Sequence, residues 1–168
     1  MSKLDHLQHK LFTAPWNKHQ DEVSQWVSGL SRPLAFTNGC FDILHRGHIV
    51  YLSQAADLGG SLLVAVNDDA SVRAQNKGKD RPLNPLQDRM MLLAALESVD
   101  AVISFGEDTP LNLINLVRPE ILVKGGDWPA DQIVGSTEVE SWGGSVHSIP
   151  FVAGHSTTGL LNRIRSSA

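Results

Sequence analysis

The chain has 168 residues, of which 42% are hydrophobic and 19% are charged, and its formal net charge is −4. These values predict one compact domain with its own core and exclude a protein that binds nucleic acid through bulk positive charge. No apolar run approaches the roughly 20 residues of a membrane span, and the N-terminus lacks the apolar stretch of a secretory signal. Because Cys40 is the only cysteine, an internal disulfide is excluded, and we expect a cytoplasmic protein that binds no membrane.

The first 32 residues are predicted to form an N-terminal helical segment ahead of a single main domain over 33–168, since residues 21–30 have amphipathic spacing. Two partners are possible for the apolar side chains of this segment, the flank of the domain itself or a second subunit. These side chains are Trp16, Val23, Trp26 and Val27. We expect a homodimer or a higher homo-oligomer, because closed homo-oligomers are common among soluble proteins.

Five short apolar runs predict strands, at 34–38, 61–67, 101–105, 121–125 and 145–150. Helical spacing follows these runs at 49–60, 84–98, 109–119 and 157–165. The second of these helices is expected to begin with Asn84 as its N-cap and Pro85 in its first turn. The alternation predicts an α/β fold: a doubly wound, Rossmann-like, five-stranded parallel sheet with helices on both faces.

A short string at the end of the first predicted strand, "TNGCFDILHRGH", carries two histidines three residues apart, His45 and His48. If a helix begins near Arg46, both imidazoles lie on one side of it, and Gly47 leaves the helix start open to an anion. Three interpretations are open: donors to phosphate oxygens, surface histidines, and a metal pair. The metal pair lacks a nearby third ligand.

Further stretches follow this string in order: "VAVNDDASV", "RPLNPLQDRM", "EDTP", "LVKGGDW", "VGSTEVESWGG" and "HSTTGLL". The set resembles the cytidylyltransferase-like nucleotidyltransferase superfamily, whose hallmark is His-x-Gly-His, and it is most similar to the adenylyltransferases of ADP-heptose synthesis. The resemblance covers about residues 34–166. It implies transfer of AMP from ATP to D-glycero-β-D-manno-heptose 1-phosphate, with release of pyrophosphate, for the inner core of lipopolysaccharide.

The resemblance also implies roles for individual residues. The catalytic residues would be His45, His48 and Lys77. Those at the nucleotide would be Thr37, Asn38, Gly39, Cys40, Phe41, Gly47, Lys124, Gly125, Ser156, Thr157 and Thr158. Those at the second substrate would be Asp42, Arg81, Arg89 and Asp127. Mg²⁺ is expected to arrive with ATP, and no protein ligand for it is evident from spacing.

Several of these assignments have open alternatives. Lys79 competes with Lys77 as the phosphate lysine, and Arg89 is as well explained as an ion-pair partner on its helix. Asp42 either contacts the sugar or fixes its loop, and Asp127 is equally suited to a salt bridge. His155 replaces the isoleucine or cysteine that many relatives carry before Ser-Thr-Thr, and it brings an imidazole to that helix start.

Two other functions compete with the ADP-heptose assignment. One is a cytidylyltransferase that acts on glycerol 3-phosphate or a related phospho-alcohol, because similar motifs occur in those enzymes. The other is a nucleotide-binding module without turnover, which the number of groups around one phosphorus disfavours. The 168 residues leave no room for a sugar kinase ahead of the domain, so we expect a separate kinase and phosphatase to supply the substrate.

Overall fold

The computed structural model describes residues 2–75 and 81–166, which form an α/β fold. The strands are β1 (Leu11–Phe12), β2 (Leu34–Gly39), β3 (Ser61–Asn67), β4 (Ala101–Phe105), β5 (Ile121–Gly125) and β6 (Ser145–Ile149). The helices are α1 (Lys3–His9), α2 (Gln20–Ser28), α3 (Arg46–Ala56), α4 (Asp69–Ala74), α5 (Leu86–Ala94), α6 (Leu111–Val117), α7 (Ser136–Ser141) and α8 (Thr157–Ser166). Short 3₁₀ turns occupy Trp16–Lys18 and Ala130–Gln132.

The strands make one parallel sheet in the order β1-β4-β3-β2-β5-β6. The prediction of five strands was wrong, because the sheet has six. The additional strand is β1, in which Leu11 pairs with Val102 and Phe12 with Ile103 at the edge of the sheet. A strand of two residues is too short to show any periodicity, so the sequence pattern gives no sign of it.

The order of the strands reverses at β2, and this reversal positions the site. From β2 the chain winds through β3 and β4 towards one edge, then returns to add β5 and β6 on the other side of β2. In open parallel sheets, ligands bind at the carboxyl ends of the strands at this kind of switch point. The string that carries His45 and His48 leaves the carboxyl end of β2.

Each face of the sheet is covered by helices, as the apolar strands predicted. On one face α3 and α5 bury Leu52 and Leu93, and on the other α2 and α6 bury Val23 and Ile114. β3 is buried along its whole length. Among the residues that the structure describes, no helix is both long and apolar enough to cross a membrane.

The apolar residues of the N-terminal segment pack on the flank of their own domain. Trp16, Val23 and Val27 are 6%, 0% and 3% exposed, and Trp26 packs against the same cluster. Of the two partners considered from the sequence, the chain itself therefore provides the cover.

The start of one helix differs from the predicted one, and a further helix, α4, was not predicted. At α5, the N-cap position is held by Pro85 and makes no side-chain cap bond. Asn84 instead donates its amide to the carbonyl of Asp42, 2.6 Å away. The polar stretch 68–84 contains α4, a six-residue helix whose N-cap Asp68 accepts from the amide of Ser71.

Candidate active site

A cleft of about 620 Å³ opens at the carboxyl edge of the sheet, between the ends of β2 and β5 and the starts of α3 and α8. Many of the residues predicted for the site line this cleft. They are Asn38, Gly39, Cys40, Phe41, Asp42, His48, Arg81, Lys124, Gly125, Thr157 and Thr158. The structure therefore brings together stretches that lie more than a hundred residues apart in the sequence.

The two histidines of the opening string pack against each other at the start of α3. The helix begins at Arg46, as expected, and His45 occupies the N-cap position. The imidazole centroids of His45 and His48 lie 3.9 Å apart with an interplanar angle of 27°, so the rings are stacked. His48 lines the cleft, and Phe41 contacts its ring at a centroid distance of 5.4 Å.

The surroundings of the histidine pair favour the neutral form of both rings. Burial, followed by the nearby His45, lowers the pKa of His48 from 6.5 to about 4. Burial also lowers the pKa of His45, with His155 adding to the effect. The Nδ1 atoms of both rings are buried without a hydrogen-bond partner among the described residues. Unmade bonds of this kind cost about 1–3 kcal/mol each, and they are typical of functional sites.

Gly47 is buried between the histidine pair and the loop before α8. A Cβ at this position would lie 3.0 Å from Cε1 and Nδ1 of His45 and 3.3 Å from Cβ of His155. Both distances are shorter than an ordinary van der Waals contact, so the absence of a side chain allows this packing. The observed position of the His45 ring therefore depends on the absence of a side chain at Gly47.

The start of α8 meets the start of α3 at the cleft. Thr157 donates its hydroxyl to the carbonyl of Ile43, 3.4 Å away, and the rings of His45 and His155 lie 6.5 Å apart. Ser156 caps α8 through its hydroxyl, which accepts from the amide of Gly159 at 3.0 Å. The N-terminal ends of two helices therefore meet at one place, an arrangement that favours a bound anion.

The loop after β2 forms the floor of the cleft. Phe41 has a left-handed backbone with φ of 46°, and a Cβ on Gly39 would meet its ring at 3.0 Å. Cys40 donates its thiol to Oε1 of Gln75 at 3.3 Å. Thr37 lies two residues before Gly39 in β2 and is fully buried. Its hydroxyl is hydrogen-bonded to that of Tyr51.

Arg89 was assigned to the substrate from the sequence, and the structure places it elsewhere. Its side chain is 0% exposed and does not line the cleft. Nη1 donates to the carbonyls of Cys40 and Asn67 at 2.6 and 2.8 Å, and Nε donates to that of Asn84 at 3.0 Å. Nη2 forms an ion pair with Asp69 at 2.6 Å. The guanidinium therefore ties three loops together instead of facing a ligand.

Asp42 also supports the loops. Its Oδ1 accepts from the amides of Leu83 and Asn84 at 2.8 and 2.9 Å, and its carboxylate pairs with the guanidinium of Arg81. The Asp42 side chain is fully buried and that of Arg81 is 10% exposed. Of the two roles considered for Asp42, this geometry favours fixing the loop, while Arg81 reaches the cleft wall.

The residues after β5 form the opposite wall. Lys124 donates to Oδ1 of Asn38 at 3.4 Å, and Gly125 admits the ring of Phe151, which would lie 2.8 Å from a Cβ at that position. Trp128 is half exposed and donates its indole N–H to the carbonyl of Gly125 at 3.2 Å. Asp127 is exposed and does not line the cleft.

Three residues that line the cleft were missed in the sequence, namely Tyr51, Trp128 and Phe151. Tyr51 lines the cleft, and burial raises the pKa of its hydroxyl to about 12. Its spacing of three residues from His48 was the available signal. Phe151 also lines the cleft and had no pattern that marked it. Lys77 and Lys79 lie outside the described residues.

Several known proteins are similar to this chain in sequence. A protein of Bordetella bronchiseptica named D-beta-D-heptose 1-phosphate adenylyltransferase is 60% identical over 136 residues, covering 81% of this chain and 84% of that protein. The Bifunctional protein HldE of Methylobacillus flagellatus is 52% identical over 133 residues, 79% of this chain, but the match spans only 27% of that protein.

One solved structure and one family pattern complete the comparison. The crystal structure of the lipopolysaccharide core biosynthesis protein from Thermoplasma volcanium superposes with a TM-score of 0.57 at 28% identity, covering 71% of this chain and 95% of that one. The pattern of the cytidylyltransferase-like family matches residues 36–168, which include the histidine pair and the start of α8. The chain therefore belongs to the cytidylyltransferase-like family.

Proposed function

We propose that this chain is an adenylyltransferase that transfers AMP from ATP to D-glycero-β-D-manno-heptose 1-phosphate, giving ADP-heptose and pyrophosphate for the inner core of lipopolysaccharide. The observation that carries the proposal is the meeting of the His45–His48 pair with the start of α8 at one cleft. The 60% identity to the Bordetella protein of that name supports the choice of substrates.

The reaction needs no covalent nucleophile from the protein. An oxygen of the sugar phosphate, already anionic, attacks the α-phosphorus of ATP, and the bond from that phosphorus to the bridging oxygen of the β-phosphate breaks. Pyrophosphate leaves with the electron pair of the broken bond. The protein contributes positioning and stabilisation of the charge that develops on the phosphoryl oxygens.

Residue roles follow from the positions of the side chains. His48 faces the cleft and acts as a hydrogen-bond donor to the reacting phosphate, with His45 stacked against it. Thr157, Thr158 and the adjacent amides of α8 hold the leaving pyrophosphate. Lys124 supplies positive charge on the opposite wall. Lys77 remains proposed as a further phosphate contact.

Mg²⁺ belongs to the proposal as a companion of ATP. Within residues 2–75 and 81–166, no group of three or more histidine, cysteine, aspartate or glutamate side chains is placed to hold a metal ion. The Asp42 carboxylate is already committed to Arg81 and two backbone amides. We therefore assign the ion to phosphate oxygens and water, and no step to a protein ligand of the metal.

The proposal extends to location and assembly. Synthesis from ATP and a sugar phosphate, together with the single cysteine, supports a cytoplasmic location. A homodimer is proposed as the assembly. Light scattering tests this, and a monomer mass contradicts it.

The test of the function is steady-state pyrophosphate release with matched substrate pairs. ATP and CTP are compared with heptose 1-phosphate as acceptor, and heptose 1-phosphate is compared with glycerol 3-phosphate as acceptor of the better nucleotide. We expect the highest kcat/KM with ATP and heptose 1-phosphate. A preference for CTP or for glycerol 3-phosphate overturns the assignment in favour of a cytidylyltransferase. Tight ATP binding without pyrophosphate release from any acceptor indicates a binding module.

A further inference from the structure

A second cavity, of about 310 Å³, adjoins the cleft on the other side of the loop after β2. The two cavities share one wall, made of Asn38, Gly39, Cys40, Lys124 and Trp128. The first continues towards Tyr51 on the face of the sheet that α3 covers, and the second towards Phe105 and Ile133 on the face that α6 covers. The carboxyl edge of the sheet therefore carries two compartments that open onto a common partition.

The second cavity has the chemistry of a sugar site. Its apolar walls are Phe105, Pro110, Ile133 and Val134, and its polar side chains are Asn67, Gln75, Asp108, Thr109 and Gln132. Amide groups donate and accept hydrogen bonds, and a carboxylate accepts two or more, which suits several neighbouring hydroxyls. Asp108 is the one acidic side chain and Lys124 the one basic side chain on the described lining of this cavity.

The polar residues of the second cavity differ in how far they are committed to the fold. Asn67 is 4% exposed, donates to the hydroxyl of Ser71 at 2.9 Å, and belongs to the floor. Gln75 accepts from the thiol of Cys40. Asp108 and Gln132 are exposed and stand on separate elements, before α6 and at the end of the 3₁₀ turn Ala130–Gln132. These two side chains are placed to adapt to a ligand.

Displacement at phosphorus sets where the acceptor must lie. The attacking and leaving oxygens are roughly in line, so the acceptor approaches the α-phosphorus from the side opposite pyrophosphate. Pyrophosphate is assigned to the first cleft at the start of α8, beside His48, Thr157 and Thr158. The second cavity lies across the shared wall from this cleft, so it is the space left for the acceptor. Lys124 lies on the shared wall and lines both cavities, so it can contact a phosphate in either one.

We propose that the second cavity binds the sugar of the acceptor, with Asp108 and Gln132 as specificity-determining residues that hydrogen-bond its hydroxyls. This inference rests on the proposed function and adds to it the place and the residues by which the sugar is selected. Asp108 and Gln132 thus take the substrate-binding role that the sequence assigned to Asp42 and Arg89, whose hydrogen bonds instead hold the loops.

The experiment compares Asp108→Ala and Gln132→Ala with Asp131→Ala, which changes an exposed carboxylate next to Gln132 that lines neither cavity. Pyrophosphate release is measured at varied heptose 1-phosphate with saturating ATP, and then the reverse. We expect the KM for heptose 1-phosphate to rise about tenfold or more in Asp108→Ala and about fivefold in Gln132→Ala. The KM for ATP should stay unchanged in both, and Asp131→Ala should match the wild type.

The outcomes distinguish the inference from the function on which it rests. Unchanged KM values for the acceptor in an active Asp108→Ala and an active Gln132→Ala overturn the sugar site and leave the adenylyltransferase intact. An equal rise in the KM for ATP assigns the cavity to the nucleotide and also overturns the sugar site. A wild-type protein that releases no pyrophosphate with heptose 1-phosphate contradicts both proposals. Because both residues are exposed, both variants should unfold at the same urea concentration as the wild type, and urea denaturation checks this.

Discussion

The imidazole rings of His45 and His48 are stacked, with their centroids 3.9 Å apart, at the point where β2 gives way to α3. Burial lowers the pKa of both rings, and a neighbouring imidazole adds to the effect, His155 for His45 and His45 for His48. At neutral pH the pair therefore offers polar N–H groups without a fixed positive charge. A phosphate bound beside the rings raises their pKa again, because a nearby opposite charge favours the protonated imidazole.

His48→Ala should lower kcat by about a hundred- to a thousandfold, because it removes a donor to the reacting phosphoryl group. His48 lines the cleft, so its loss acts at the reacting centre. The measurement is steady-state pyrophosphate release with ATP and heptose 1-phosphate. His6→Ala is the control, since His6 is exposed on α1. Full activity in His48→Ala contradicts the role.

The free energy of unfolding should fall as the pH is lowered from about 7.5 to about 5. The pKa of His48 is about 4 in the folded chain against an ordinary value of 6.5. Between these values the unfolded chain binds more protons, so stability is full above 6.5 and is lost as the pH approaches 4. The loss from this residue at pH 5 is about 2 kcal/mol.

Urea denaturation of the wild type and of His48→Gln at both pH values measures this effect. The wild type should lose more stability than His48→Gln, which has no group to protonate at that position. The lowered pKa of His45 adds a loss of the same sign in both proteins. Equal losses in the two proteins contradict the assignment of the effect to His48.

The parts of the fold that the sequence predicts are those whose residues are buried on both sides. β2 to β5 agree closely with the apolar runs, because strands covered on two faces are continuously apolar. β6 also matches its predicted run, although its residues are partly or fully exposed. β1 and the helices α4 and α7 were missed, since the strand is two residues long and each helix has only six residues, most of them polar or small. The prediction of Asn84 as the N-cap of α5 was wrong, because its side chain donates a hydrogen bond to the carbonyl of Asp42 instead.

In the candidate site, the sequence predicts contacts between residues close in the chain, but not those between residues far apart in the chain. The proximity of His45 and His48 follows from their spacing of three residues on one helix start. The burial of Arg89 has no local signal, because its partners include carbonyls of Cys40 and Asn67 from the ends of two other strands. Only the folded arrangement shows that a helix arginine bridges those ends.

Arg89→Met should lower the free energy of unfolding by about 3–5 kcal/mol, because it leaves Asp69 and several carbonyls without their cationic partner. Arg89→Lys keeps the charge but not the fork of donors, so we expect a smaller loss. Arg73→Met, at an exposed position on α4, is the control and should change stability by less than about 0.5 kcal/mol. Urea denaturation measures all three. If Arg89→Met instead keeps its stability and raises only the KM for ATP, the residue contacts the nucleotide.

Gly47→Ala should reduce activity without reducing stability. The new Cβ would lie 3.0 Å from Cε1 and Nδ1 of His45, so the ring has to move by a few tenths of an ångström, and catalysis is sensitive to displacements of that size. Replacing glycine by alanine inside a helix stabilises it by about 1 kcal/mol, which offsets the crowding. We expect kcat to fall about tenfold while urea denaturation shows a free energy of unfolding within about 1 kcal/mol of the wild type. Gly29→Ala is the matched control, because its Cβ would meet only the carbonyl oxygen of Trp26 at 3.4 Å, an ordinary contact. Wild-type turnover in a stably folded Gly47→Ala would mean that the position of the His45 ring does not govern the rate.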